Sequence, residues 1–245
     1  MIKSVIFDFW GTLVKYGGDK EISRMRSEQA KMMDNELRNY GYNFGIEKVW
    51  EVLEKVRLEC TRIRNTTYKE VVASEETAMM LKELGIESKE IWVKCTEIYS
   101  SALLSMDISL QVGADKVLGW LKSNGLKIGL LSNTDHGWLE RVLMKKYAIH
   151  QYFDVIILSC DVGIRKPATE IFKSTMEGLN VRACESMYVG DWPEVDVLGA
   201  KQSGMWAVYL KTNNSAYPPK IPTPDATIEK LIQIQEILTK GFKDD

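Results

Sequence analysis

Val5-Ile6-Phe7-Asp8-Phe9-Trp10-Gly11-Thr12-Leu13-Val14 decides how this chain folds, because a carboxylate stands where an apolar run stops. Val5, Ile6 and Phe7 do not alternate with polar residues, which predicts a strand buried on both faces, and Gly11-Thr12 follow closely behind it. Open α/β sheets place their sites at the carboxyl ends of their strands. Asp8 is therefore delivered to the position where a nucleophile or a metal ligand is needed.

Further along the chain, helical stretches alternate with similar apolar runs. The pattern predicts helix about 113–124, strand Ile128–Ser132, helix about 137–146, strand Val155–Leu158, helix about 168–179, strand Met187–Gly190, helix about 194–203 and strand Trp206–Leu210. Such alternation with short connections implies right-handed βαβ units and a parallel sheet flanked by helices. The expected class is α/β, with a flavodoxin-like (Rossmannoid) core whose strand-end residues converge. Tyr217-Pro218-Pro219-Lys220-Ile221-Pro222-Thr223-Pro224 reads as a rigid surface connector and Ile228–Leu238 as a closing helix.

Residues from about 20 to 108 have a different character, with no convincing period-two strand. Ile46, Val49, Trp50, Leu53, Val56, Cys60 and Ile63 share one helix face, and Ile91, Trp92, Cys95, Ile98, Tyr99, Ala102, Leu103 and Met106 share another. Two weaker helices, about 20–39 and 69–84, end at Gly41 and Gly85, where glycine suits a helix C-terminus. The expected organisation is a core of residues 1–16 and 109–245 with a four-helix domain of residues 17–108 inserted into it.

A chain of 245 residues with 45% hydrophobic content can bury a substantial interior. Lys+Arg 32 against Asp+Glu 34 leave a formal net charge of −2. No broad positive field therefore calls for nucleic acid or an anionic membrane, and a small molecule is the expected partner. Cys60, Cys95, Cys160 and Cys184 are widely spaced, without a C-x-x-C pair or histidines at zinc-site spacing. They are expected to be buried free thiols in a reducing compartment. The N-terminus enters the first strand without a leader-like pattern, and no apolar run approaches the roughly 20 residues of a membrane span. The expected location is cytoplasmic. Oligomeric state is not legible, since Trp50 and Trp92 suit a domain core or a dimer interface equally.

Three later segments complete a constellation with Asp8: Leu130-Leu131-Ser132-Asn133, Gly163-Ile164-Arg165-Lys166-Pro167, and Val189-Gly190-Asp191-Trp192-Pro193-Glu194-Val195-Asp196. In this order and spacing they resemble the four motifs of the haloacid dehalogenase-like hydrolase superfamily, over residues 1–14 and about 110–235. Asp-x-x-Gly-Thr alone is a weak signal; the four motifs in order are a strong one.

The resemblance implies a nucleophilic Asp8 and a Mg²⁺ ion held by the Asp8 carboxylate, the Trp10 backbone carbonyl and Asp191. It matches Asp196 to the second acid of the fourth motif, as a ligand of metal-bound water or a partner orienting Lys166. Ser132 and the Asn133 backbone amide are matched to groups that hydrogen-bond the phosphoryl oxygens, and Thr12 to one that orders the nucleophile loop. The inserted helices match the superfamily's helical cap, which closes over the site and selects substrates. The chemistry is consistent: a carboxylate attacks phosphorus or carbon only when its own charge and the substrate's are offset, here by Lys166 and a divalent ion.

Each residue also has a plainer reading. Asp191 before Trp192-Pro193, and Ser132-Asn133 before the next helix, could serve as caps, and Lys166 could be a solvated lysine. His136 is a candidate general base or a surface histidine, and His150 reads as structural. Tyr16, Arg24, Arg26, Arg62 and Arg64 are inserted-domain residues that could reach a substrate.

Trp10 departs from the pattern. Phosphatases of the resembled superfamily carry a second aspartate there, which protonates the leaving alcohol and later activates water. Indole has no proton that titrates near neutrality. Four functions remain open: a phosphohydrolase whose leaving group needs no acid or whose base comes from the cap, with Glu194 one loop candidate; a metal-free 2-haloacid dehalogenase, which carries an aromatic residue at this position; a phosphonatase; and a non-catalytic ligand-binding protein. Gly190-Asp191 with Asp196 looks like the metal-binding form of the fourth motif, which ranks the phosphohydrolase first.

Overall fold

In a computed structural model that describes residues 1–212 and 215–240, the chain divides into two compact units, Tyr16–Ile108 and Met1–Lys15 with Ser109–Asp245. The first is built from helices α1 (Asp19–Asn39), α2 (Ile46–Thr67), α3 (Ala73–Glu83) and α4 (Lys89–Ser101). Their apolar stripes meet in one core that includes Met33, Leu37, Val49, Leu53, Val56, Cys60, Met80, Ile91 and Cys95. Within it, Arg64 is paired with the buried Glu70 and Glu76, and the Tyr99 hydroxyl donates to Glu76 at 2.7 Å. Buried carboxylates are tolerated only when paired in this way.

Two of the expected helices are shorter than their patterns. α2 runs on to Thr67, and Tyr68 turns the chain with φ 54°, so α3 begins at Ala73 rather than 69. α4 ends at Ser101, where a 3₁₀ turn, Ala102–Ser105, takes over.

The second unit contains strands β1 (Ser4–Phe7), β2 (Val14–Lys15), β3 (Ser109–Leu110), β4 (Lys127–Ser132), β5 (Val155–Leu158), β6 (Ser186–Gly190), β7 (Trp206–Leu210) and β8 (Ala226–Ile228). Six of them form one sheet in the order β5-β4-β1-β6-β7-β8, with every neighbouring pair parallel, while β2 and β3 pair antiparallel. Around the sheet lie α5 (Ala114–Ser123), α6 (Trp138–Lys146), α7 (Ser159–Val162), α8 (Thr169–Leu179), α9 (Leu198–Gln202) and α10 (Gln233–Lys240).

β1 takes a central place because Val5, Ile6 and Phe7 are all 0% exposed. Full burial of such a side chain contributes about 1.5–3 kcal/mol, which a strand with one face in water would forfeit. Phe7 lies in register with Leu130 of β4 on one side and Val189 of β6 on the other. The chain moves from β1 outward through β4 to β5, then returns to β6 on the opposite side of β1. This reversal puts the topological switch point of the sheet at the carboxyl ends of β1, β4 and β6.

Several sequence expectations are corrected. Residues 226–228 form a sixth strand beside β7, and the last helix starts at Gln233, not Ile228. Ile228, Leu231 and Ile234 are all buried at spacings that mimic a helix face, although only the last belongs to the helix. In place of one helix over 194–203, a π turn, Pro193–Val197, precedes α9. Only Cys60 and Cys95 are buried; Cys160 is half-buried and Cys184, in a 3₁₀ turn before β6, is exposed. All four are free thiols. Among the described residues, no helix is long and apolar enough to cross a membrane.

Candidate active site

Asp8 leaves the end of β1 with its peptide N–H donated to the Val189 carbonyl at 2.9 Å, so β6 fixes its direction. Lys166, only 2% exposed, meets it there. The ammonium Nζ donates to Asp8 Oδ1 at 2.6 Å, Asp196 Oδ1 at 2.7 Å and the Tyr188 hydroxyl at 2.7 Å, which uses all three of its N–H bonds. The reading of Lys166 as a solvated surface lysine therefore fails.

The backbone of Lys166 is clamped by a side chain from the end of β4. Asn133 Oδ1 accepts the Lys166 peptide N–H at 2.9 Å, and Asn133 Nδ2 donates to the Lys166 carbonyl at 3.1 Å. Asn133 thus joins the second motif to the third through its amide side chain. Ser132 and Thr12 are both fully buried, and their hydroxyls have no hydrogen-bond partner. An unsatisfied buried hydroxyl costs about 1–3 kcal/mol, so both are suited to a polar ligand.

From β6, Asp191 and Asp196 complete the group: with Asp8, they bring carboxylate oxygens within 4.8 Å of one another. Asp196 is drawn inward by the π turn. Its Oδ2 accepts the Trp192 N–H at 3.0 Å, and its Oδ1 accepts Lys166 Nζ and stands 3.2 Å from the Tyr188 hydroxyl. Neither Asp191 nor Ser132-Asn133 makes a side-chain cap to the helical turns that follow, so the capping readings also fail. Two glycines permit the crowding. A Cβ on Gly11, whose φ is +82°, would lie 2.1 Å from Asp191 Oδ2, and one on Gly190 would lie 2.4 Å from the Asp196 carboxyl carbon.

The electrostatics follow from two buried carboxylates, Asp8 and Asp196, sharing one ammonium, with the half-buried Asp191 beside them. Burial pushes the Asp8 carboxyl up to about 6, with Lys166 opposing and Asp196 adding to the rise. Asp191 is pushed up to about 8, by burial and then by the charges of Asp8 and Asp196. Burial alone would depress the Lys166 ammonium, but Asp196 and Asp8 outweigh it and hold it above its usual value. Burial, with Asp196 and Asp8, holds the Tyr188 phenol well above its usual value, which keeps it a neutral donor. Further positive charge would relieve the cluster.

Tyr188 and Glu140 were not visible as site residues in the sequence. Tyr188 sits inside an apolar strand and reads as core, yet its hydroxyl bridges Lys166, Asp196 and, at 3.1 Å, the Leu131 carbonyl. Glu140 lies among the buried Leu139, Leu143 and Met144 of α6, and its Oε1 accepts the Trp10 indole N–H at 2.8 Å. An acidic residue on the apolar face of an amphipathic helix was the available signal.

Other candidates are less well placed. Glu194 and His150 are exposed, and His136 Nδ1 contacts the Asp135 carboxylate. Arg24, Arg26, Arg62 and Arg64 each pair with a glutamate inside their own unit, and Tyr16 is exposed.

Comparison with known proteins places the chain. It is 26% identical over 246 residues to the glyceraldehyde 3-phosphate phosphatase of Methanocaldococcus jannaschii, covering 100% of both chains. Its fold matches a 2-haloacid dehalogenase from Pseudomonas syringae pv. Tomato with a TM-score of 0.75 and 22% identity, over 98% of this chain and 99% of that one. It also matches a HAD phosphatase from Thermococcus onnurineus with a TM-score of 0.66 and 24% identity, over 99% of each chain. At these identities the structural likeness is one of fold, common to dehalogenase and phosphatase. The family model for haloacid dehalogenase-like hydrolases matches residues 2–204, a span that contains all four motifs, and the chain belongs to that family.

Proposed function

We propose that the protein is a Mg²⁺-dependent phosphatase acting on a small phosphorylated metabolite or an activated phosphoester through a covalent Asp8 intermediate. The carboxylate cluster of Asp8, Asp191 and Asp196 supports this reading most strongly. With the Lys166 ammonium paired to Asp8 and Asp196, the three acids, two of them buried and Asp191 half-buried, carry an excess of negative charge. A dehalogenase working without metal would need Asp8 ionised beside that excess, against the repulsion that raises Asp191. The phosphatase relative that spans the whole chain points the same way.

The residues fit a magnesium ion. Hard oxygen donors are what Mg²⁺ takes, and it retains waters alongside a few protein ligands. Asp8, Asp191 and the Trp10 carbonyl are the proposed direct ligands. Both oxygens of Asp196 are engaged by Lys166 and the Trp192 N–H, so its part is to orient Lys166 and to receive metal-bound water. Bound there, the ion would offset the charge of phosphoryl oxygens during transfer.

Asp8 attacks phosphorus with one carboxylate oxygen, and the bond from phosphorus to the leaving oxygen breaks with its electron pair on that oxygen. Ser132 and the Asn133 backbone amide hold the transferring group, Thr12 orders the nucleophile loop, and Lys166 neutralises Asp8 as it aligns. Water then attacks the aspartyl phosphate, releasing phosphate and restoring Asp8. Trp10 supplies no proton to the leaving group, a contribution typically worth ~10²–10⁴-fold. Substrates with stable leaving anions, such as acyl phosphates, are favoured. Residues 16–108 are proposed as the cap that selects the substrate, and the four free thiols suit a cytoplasmic location.

The test is the initial hydrolysis rate on p-nitrophenyl phosphate, acetyl phosphate, a sugar phosphate and L-2-chloropropionate, each with Mg²⁺ and with EDTA. Phosphate release abolished by EDTA, and by Asp8→Asn in a folded variant, is the expected result. Chloride release indifferent to EDTA would establish the dehalogenase instead, and wild-type turnover in Asp8→Asn would remove the covalent mechanism.

A further inference from the structure

Glu140 is fully buried on α6. Its Oε1 accepts the Trp10 indole N–H at 2.8 Å, and its Oε2 has no hydrogen-bond partner. Burying a carboxyl group with so little compensation is costly. A leucine, as at Leu139 and Leu143 on the same face, would fill the space without that cost. The stability of α6 therefore does not account for an acid at this position.

Its partner gives the reason. Trp10 belongs to the nucleophile loop, which is closed on itself by Gly11 N–H to the Val14 carbonyl at 2.8 Å, and by Leu13 and Val14 N–H to the Phe9 carbonyl at 2.9 and 3.0 Å. Phe9, fully buried, packs edge-on against the Trp10 ring with centroids 5.3 Å apart. These contacts bind the loop to itself. The indole N–H reaches outside it, to the helix that follows Ser132-Asn133. The loop after β1 and the helix after Ser132-Asn133 are thus tied by a part-buried hydrogen bond.

We propose that Glu140 is a positioning residue of the active site: by holding the Trp10 indole it fixes the nucleophile loop, and with it the Trp10 peptide, relative to the loop of Ser132 and Asn133. The tie rests on the geometry alone; its effect on turnover rests on the phosphatase reading above. It also gives the side chain at position 10 a task that needs no titratable group. Trp10 is a strut, and its indole N–H is committed to α6.

The test compares wild type, Glu140→Gln, which keeps an isosteric acceptor, and Glu140→Leu, which removes it. Amide hydrogen exchange over residues 9–14 reads the tie without substrate or metal. Exchange at Gly11, Leu13 and Val14 should quicken at least tenfold in Glu140→Leu and stay near wild type in Glu140→Gln, with exchange in α8 unchanged in both. Turnover should follow, falling at least tenfold in kcat with little change in KM for Glu140→Leu, and recovering in Glu140→Gln. Unchanged exchange over residues 9–14 in Glu140→Leu would overturn the proposal, as would equal loss in the two variants. Altered exchange in a protein that releases no phosphate would uphold the tie and refute the phosphatase reading.

Discussion

Gly11→Ala separates the cost of a strained backbone from the cost of a displaced Asp191 carboxylate. Gly11 has φ +82°, and its added Cβ would stand 2.1 Å from Asp191 Oδ2, 2.6 Å from the carboxyl carbon and 2.8 Å from Oδ1. A left-handed conformation costs a non-glycine residue about 1–2 kcal/mol. At about 2–4 °C per kcal/mol for a protein of this size, that lowers Tm by ~2–8 °C. Carbon and oxygen do not approach much closer than 3 Å, so the carboxylate must also retreat by about 1 Å. A misplacement of that size in a reacting assembly costs ~10²-fold in rate.

Gly125→Ala is the matched control. Gly125 has φ +74° with nothing within 4 Å of an added Cβ, so it carries the backbone cost and no collision. Melting curves, kcat and the Mg²⁺ concentration for half-maximal rate are measured on both variants. The expected outcome is a similar loss of Tm in the two, with a fall in kcat of ~10²-fold and weaker Mg²⁺ dependence in Gly11→Ala alone. If Gly11→Ala loses no more activity than Gly125→Ala, Asp191 is not part of the catalytic assembly.

Two other substitutions probe the charge network. Lys166→Met leaves Asp8 and Asp196 buried without their ammonium, which should cost about 3–5 kcal/mol, or ~6–20 °C in Tm. Without Lys166 the Asp8 carboxyl titrates above the value of about 6 it has in the wild type, so its part of the deficit should be present at neutral pH and fade as pH falls below about 6, where Asp8 is protonated in both folded proteins. Melting curves in EDTA across pH check this, and a variant within 2 °C of wild type at pH ~7 would contradict the assigned pairing. Tyr188→Phe removes the acceptor of one Lys166 N–H, 2.7 Å away, and should cost ~1–3 kcal/mol in urea denaturation. It should also lower kcat while leaving KM unchanged, and a change confined to KM would place Tyr188 outside the Lys166 network.

Much of the site was legible because its signals are local. Asp8, Ser132, Lys166 and Asp191 each sit at the end of an apolar run or at a turn, so strand-end chemistry is readable from neighbours a few residues away. The closing helix was misjudged for the same reason: Ile228 and Ile234 keep a helical spacing, and nothing local reveals that β7 offers an open edge for Ala226–Ile228. Glu140 and Tyr188 were hidden because each looks like an ordinary member of its own element. Their partners, Trp10 and Lys166, lie 130 and 22 residues away.

The sequence by itself determined the class of fold, the order of the motifs and the side chains available for chemistry, because the alternation of apolar runs and turn residues is a property of short stretches. Only the tertiary structure decided which of those side chains share one Lys166 ammonium, how far burial raises Asp8 and Asp191, and that the Trp10 indole N–H meets Glu140. Those depend on distances of a few ångströms between residues remote in the chain and on the exclusion of water around them, and both arise only when β1, β4 and β6 lie side by side.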